Sequence, residues 1–151
     1  MDKNKLYKEI AIIVCVSLMV LFIHGIIWMY TSKKYIEDNE DLVKERLVGT
    51  VFVDDDNPKK CVVITSSNIA NIDYVVKPKI KSAIGISGDM LVNDIDFKLE
   101  AYNGEETIQI SGRMRLRYNS DDRRKWTCDK LAAENYKVIR VDTYVLKVIG
   151  R

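Results

Sequence analysis

The sequence predicts an N-terminal transmembrane α-helix followed by a mainly-β domain with little helix, built as an antiparallel curled sheet, a sandwich or a partly open barrel. Three observations predict it. No charged residue interrupts the chain between Glu9 and Lys33. From Leu47 onward, short β-branched runs alternate with turn residues. One pair of those runs, around Asn103-Gly104, has the period-two alternation and the turn chemistry of a hairpin at once. The 151 residues suffice for one span and one small domain.

The span covers residues 10–30, IAIIVCVSLMVLFIHGIIWMY, behind a short tail at residues 1–9. As a helix it reaches roughly 30 Å, the hydrocarbon thickness of a bilayer. Trp28 and Tyr30 close one end and Tyr7 precedes the other, where amphipathic rings favour the headgroup zone. A cleaved signal peptide would have a shorter apolar region and small residues after it. Here Trp-Met-Tyr precede Thr31-Ser32-Lys33-Lys34, so an uncleaved anchor is expected. Lys3, Lys5 and Lys8 are balanced by Lys33 and Lys34, so a positive-inside count does not decide the orientation. The short lysine-bearing tail is typical of a cytoplasmic stub and favours the N-terminus inside, with the domain extracytoplasmic. Within the span, His24 and Gly25 offer a polar group and a small surface for a neighbouring helix. A plain lipid-facing anchor is the alternative.

Residues 31–46 are rich in charge and read as a juxtamembrane helix or stalk, with Ser32 a candidate cap. The β-rich domain then runs from 47 to 151. Leu47 to Val53 and Lys60 to Thr65 flank the turn Asp54-Asp55-Asp56-Asn57-Pro58 as a first hairpin. Residues 66–73 read as a loop or a single helical turn. Tyr74 to Ile86, broken by Pro78, reads as an edge segment at best. In the central hairpin Ile95, Phe97, Leu99 and Ala101 alternate with Asp96, Lys98 and Glu100. A two-residue turn at Asn103-Gly104 would pair Leu99 with Ile108, Phe97 with Ile110 and Asp94 with Arg113. Lys130 to Lys137 is expected to form helical turns. Val138 to Ile149 is expected to form a long last strand.

The chemistry-bearing residues are few. The net charge of +2, from 24 basic and 22 acidic side chains, gives no bulk grip on nucleic acid. The single histidine lies in the span, which leaves the domain without a Ser-His-Asp or histidine-zinc site. Gly85-Ile-Ser-Gly88 has the wrong spacing for a phosphate loop. No catalysis, cofactor or metal site is therefore expected. The Asp54–Asn57 run lacks the spaced ligands of a calcium loop and reads as a solvated turn. Arg113, Arg115 and Arg117 form a basic stripe, read as the solvent face of a strand balanced by Asp94 and Asp96. Cys61 and Cys128 fall in two expected strands. In an oxidising compartment they are the only disulfide open to the domain, closing a long loop for roughly 4 kcal/mol. On a cytosolic domain they would be buried free thiols.

The layout of tail, uncleaved anchor and strand-rich domain, with Cys61 opening a strand, the Asn103-Gly104 hairpin and Ser111-Gly112-Arg113 leading to Tyr118, resembles small inner-membrane accessory proteins of enterobacteria. These are the FidL-like family, the PsaF/MyfF proteins of fimbrial operons, and ToxS in role. The resemblance implies a bacterial inner-membrane, single-pass protein with a periplasmic domain. It further implies pairing with a membrane-anchored transcription activator into a lipocalin-like barrel. Such an accessory stabilises its partner or tunes sensing of pH or a bile-type ligand, with an apolar small ligand in the shared barrel and fimbrial or virulence genes as the output. The expected contacts are sheet edges at Tyr74 and Val76 and along Val138, Val141, Tyr144, Leu146 and Val148. A structural or assembly component of a secretion, pilus or envelope complex is the rival reading.

Overall fold

The structure, a computed structural model, describes residues 2–79, 91–119 and 125–140. Val141, Tyr144, Leu146 and Val148, expected in a partner-binding strand, lie outside the described residues.

Helix α1 (Lys3–Glu37) starts at Asp2, whose carboxylate accepts the Asn4 N–H at 3.1 Å. Along the apolar run its side chains are uncovered over most of the circumference: Leu18, Leu21, Phe22, Ile23 and Ile27 are all exposed. The helix is long and apolar enough to cross a membrane. It continues past Tyr30 without a break, so the juxtamembrane segment begins as its last turns. Ser32, expected as a cap, is instead inside α1, where its hydroxyl donates to Met29 O at 2.9 Å. The helix stops at Asp38, whose N–H donates to Lys34 O, and Asn39 Nδ2 covers Tyr35 O at 2.7 Å.

Helix α2 (Glu40–Leu47) follows at once, with Glu40 and Asp41 in its first turn and Lys44 and Arg46 in its last. Its Val43 and Leu47, one turn apart, are buried with Ile36 of α1 in the same apolar cluster as the sheet. The expected first strand therefore starts later, because Leu47 belongs to the helix face.

Seven strands are described: β1 (Thr50–Asp54), β2 (Cys61–Val63), β3 (Ile69–Pro78), β4 (Val92–Tyr102), β5 (Thr107–Asn119), β6 (Lys125–Ala133) and β7 (Tyr136–Arg140). They form one antiparallel sheet in the order β2-β1-β7-β6-β5-β4-β3. The mainly-β, curled-sheet class is thus correct. One face is apolar through strict alternation, with Ile95, Phe97, Leu99 and Ala101 of β4 buried beside Ile108, Ile110, Met114 and Leu116 of β5.

The β4–β5 hairpin keeps its expected face but not its register. Leu99 pairs with Ile110, Phe97 with Gly112 and Asp94 with Arg115. The turn is a four-residue loop, because the Asn103 carboxamide oxygen accepts the Glu105 and Glu106 N–H groups, each at 2.9 Å. Asn103 N–H also donates to Glu106 O at 3.1 Å, and only Gly104 takes a positive φ, +99°. A slip of a whole pleat leaves the faces intact.

Three further expectations are corrected. The segment 66–73 contributes the start of β3. Lys130 to Lys137 is not helical: Leu131 and Ala133 pack toward the core from β6, and Asn135, at φ 63°, makes the tight turn into β7. Pairing with β5 outweighs the helix preference of Lys-Leu-Ala-Ala. Finally, β7 is not an edge. It lies between β1 and β6, with Val138 opposite Phe52.

Candidate partner-binding edges

The two ends of the sheet are β3 and β2, and they differ. In β3 the Lys79 N–H donates to Val92 O at 2.9 Å. The alternation of an antiparallel ladder then turns the backbone groups of residues 73, 75 and 77 toward β4. Those of Ile72, Tyr74 and Val76 point to the open side, where no strand among the described residues pairs with them. Pro78 ends the run without an N–H to offer. β3 is therefore an end strand of the sheet, as expected for the Tyr74–Val76 segment, and what it turns to the open side is backbone. The Val76 side chain is only 1 % exposed, and Val75 on the outer face is 57 % exposed. The Tyr74 hydroxyl donates to Ile36 O at 3.1 Å and Glu37 O at 2.9 Å, latching the end of α1 to this edge strand. Burial, and then the nearby Glu40, Glu37 and Asp38 charges, push the phenol above its ordinary range, so it stays a donor.

At β2, Asp54 N–H bonds Lys60 O and Ile64 N–H bonds Thr50 O, each at 2.9 Å, which turns Cys61 and Val63 outward. Their carbonyls are already taken. Asn103 Nδ2 donates to Cys61 O at 3.3 Å, and Asn68 Nδ2 donates to Val63 O at 2.7 Å and to Tyr102 O at 3.1 Å. Two asparagines thereby tie the β2 end to the β3 and β4 end and blunt that edge. From sequence Asn103 is only a turn residue and Asn68 has no role, since a carboxamide clamp has no spacing signature.

Cys61 and Cys128 do not meet. Both are free thiols in this structure. Cys61 lies on the outer face of β2, whereas Cys128 is opposite buried Leu116 and so faces the core. Strands β1 and β7 also separate β2 from β6, a spacing of roughly 14 Å along the sheet, beyond disulfide reach. Burial pushes the Cys128 thiol up, with Arg140 and Arg46 opposing and Asp129 adding to it.

Between β6 and β7 the sheet opens after a single register pair, Ala133 with Tyr136. Arg46 of α2 bridges the opening, its Nε donating to Trp126 O at 2.6 Å, and Arg140 donates to Arg46 O at 3.2 Å. Val138 is half-buried against the core here rather than exposed for a partner.

The outer face carries the expected balance of charge in the shifted register. Asp96 holds Lys77 and Arg113, each at 2.7 Å, and Asp94 holds Arg115 at 2.8 Å and Lys79 at 3.1 Å. Burial works to raise the Asp94 carboxyl, but the hydrogen bonds from Arg115 and Lys79 outweigh it and hold it below the usual carboxylate range. Asp96 is lowered by Lys77 and then Arg113. Among the described residues no group of three His, Cys, Asp or Glu side chains is arranged to hold a metal.

In α1, the His24 and Trp28 rings lie 5.4 Å apart between centroids, tilted 47° to one another, Tyr30 is exposed, and Gly25 is buried. Fold and surfaces together define a class: a small antiparallel half-barrel carried on a helix able to span a membrane, with one open edge and one blunted edge. Compared with protein-family models, curated proteins and solved structures, the chain matches none.

Proposed function

We propose that this chain is a non-catalytic accessory subunit, held by α1 as a single-pass anchor in a bacterial inner membrane. In this reading the N-terminus is cytoplasmic and the sheet is periplasmic. The domain pairs with the periplasmic domain of a membrane-anchored transcription activator, stabilises it, and tunes its response to pH or to an apolar, bile-type ligand held in the shared barrel. It touches no nucleic acid itself.

The observation that carries this reading is the asymmetry of the edges. The β2 carbonyls are covered by Asn68 and Asn103, whereas Ile72, Tyr74 and Val76 of β3 keep their backbone groups toward the open side. An added strand would satisfy those groups and extend the apolar face. The α1 helix, latched to the same strand through Tyr74, would keep that edge near a partner confined to the same bilayer. A photo-crosslinking residue placed at Val75 of the full-length chain tests it. The expected product is a crosslink to one single-span protein with a cytoplasmic DNA-binding domain. Crosslinks to subunits of a secretion or pilus apparatus would instead favour an assembly role.

A further inference from the structure

The polar run Thr31-Ser32-Lys33-Lys34 follows the exposed Ile27, Trp28 and Tyr30, so a bilayer spanned by α1 ends near Tyr30. Ser32 is only about 3 Å of helix rise beyond that point. Its hydroxyl accepts from Asn93 Nδ2 at 3.4 Å, and both side chains are buried. Four residues further along α1, the Ile36 carbonyl meets Tyr74. Since Asn93 pairs with Pro78, descending α1 toward the membrane runs along β3 from Tyr74 to Pro78. The end of β3, the start of β4, the end of β5 and the start of β6 therefore form the lower rim of the sheet. The headgroup layer on each side of the hydrocarbon is about 5–8 Å deep, so this rim is within its reach.

Burial along α1 marks the same face. Ile36 and Ser32 are buried, and Met29 and Lys33 beside them are half-covered, while Tyr30, Thr31, Lys34 and Tyr35 are exposed. The domain therefore sits against the Ser32–Ile36 face of α1, immediately beyond Tyr30. Charge follows the same axis. The lower rows carry Lys33, Lys34, Lys77, Lys79, Arg115 and Arg117; Arg117 pairs with Asp129 and Lys33 with Glu37, and Asp94 and Asp96 each share two cations, which leaves the rows net basic. The turns at the opposite end carry Asp54, Asp55, Asp56, Glu105 and Glu106 against Lys59 and Lys60, a net acidic balance.

We propose that the β3–β6 rim rests on the bilayer crossed by α1, with anionic lipid headgroups as its ligand. Cations near an anionic surface gain attraction that salt screens, and the acidic turns are pushed outward, which fixes the tilt of the domain. This rests on α1 spanning a membrane and not on the identity of any protein partner.

Trp126, its ring tilted against Tyr118 at 5.2 Å between centroids, sits at this rim, and the chain has 2 tryptophans. In full-length Trp28→Phe protein, reconstituted in vesicles, it is the sole indole. The expected result is a loss of Trp126 emission with phosphatidylcholine brominated close to the headgroup. The loss should be larger when phosphatidylglycerol is included and smaller in high salt. In the same vesicles, Lys34→Gln/Lys79→Gln should remove much of the phosphatidylglycerol effect. Emission unchanged by shallow bromines overturns the proposal, and so does equal loss with and without anionic lipid. Alkaline carbonate extraction is run on the same samples. A chain that is released has no spanning anchor, and that result overturns the anchor rather than the rim contact alone.

Discussion

At Gly112 there is no room for a side chain. A Cβ there would press on the Ala132 carbonyl and lie 2.7 Å from Phe97 Cζ, so β5 and β6 close together only because this position is bare. Gly112→Ala is expected to cost roughly 1–3 kcal/mol by overpacking, seen as a lower thermal midpoint with the same cooperative unfolding. Asp94 sets a second residue-level expectation. Its folded carboxyl titrates below the unfolded value of about 3.9, so its contribution is present above that pH and is lost as pH falls through the lower folded value. Denaturant melts between pH 5 and 2, as rough bounds on that window, should therefore show a stability loss on the acid side. Asp94→Asn should make that loss shallower while lowering stability at neutral pH.

Among the elements, the central hairpin shows what a sequence can and cannot carry. Ile95, Phe97, Leu99 and Ala101 alternate, and alternation determines the face, so the buried set was legible. The register was not, because the Asn103 side chain closes a longer loop than its backbone would as part of a two-residue turn. The β6–β7 turn was missed for the converse reason: Lys-Leu-Ala-Ala-Glu has helix propensity, and only pairing with β5 makes it a strand. The Asn68 and Asn103 clamps on β2 depend on distant strands meeting and left no local trace. Asn68→Ala is expected to raise amide exchange at Ile64, Thr65 and around β2 with little change along β5. Each lost bond should cost roughly 0.5–1.5 kcal/mol. Uniform loss of protection across the sheet would mean that the clamp does not act locally.

For the whole molecule, the order β2-β1-β7-β6-β5-β4-β3 explains why the chain's last described strand is interior and why β3 is the open edge. Such an order joins β1 to β7 across most of the domain, a pairing that no local pattern encodes. The long apolar helix, by contrast, was legible from composition alone, since its apolar residues remain uncovered by the domain over most of their length. The open edge thus lies beside the helix that Tyr74 holds. If the proposed pairing is right, a strand of one membrane-anchored partner completes this edge. Photo-crosslinking from Val75 in intact cells addresses this, with the same probe at Val63 on the blunted β2 edge as the comparison. A single adduct from Val75 with a single-span DNA-binding protein is expected, lost in Tyr74→Pro, and none from Val63. Equal adducts from both positions, or adducts only with subunits of an envelope machine, would contradict the pairing.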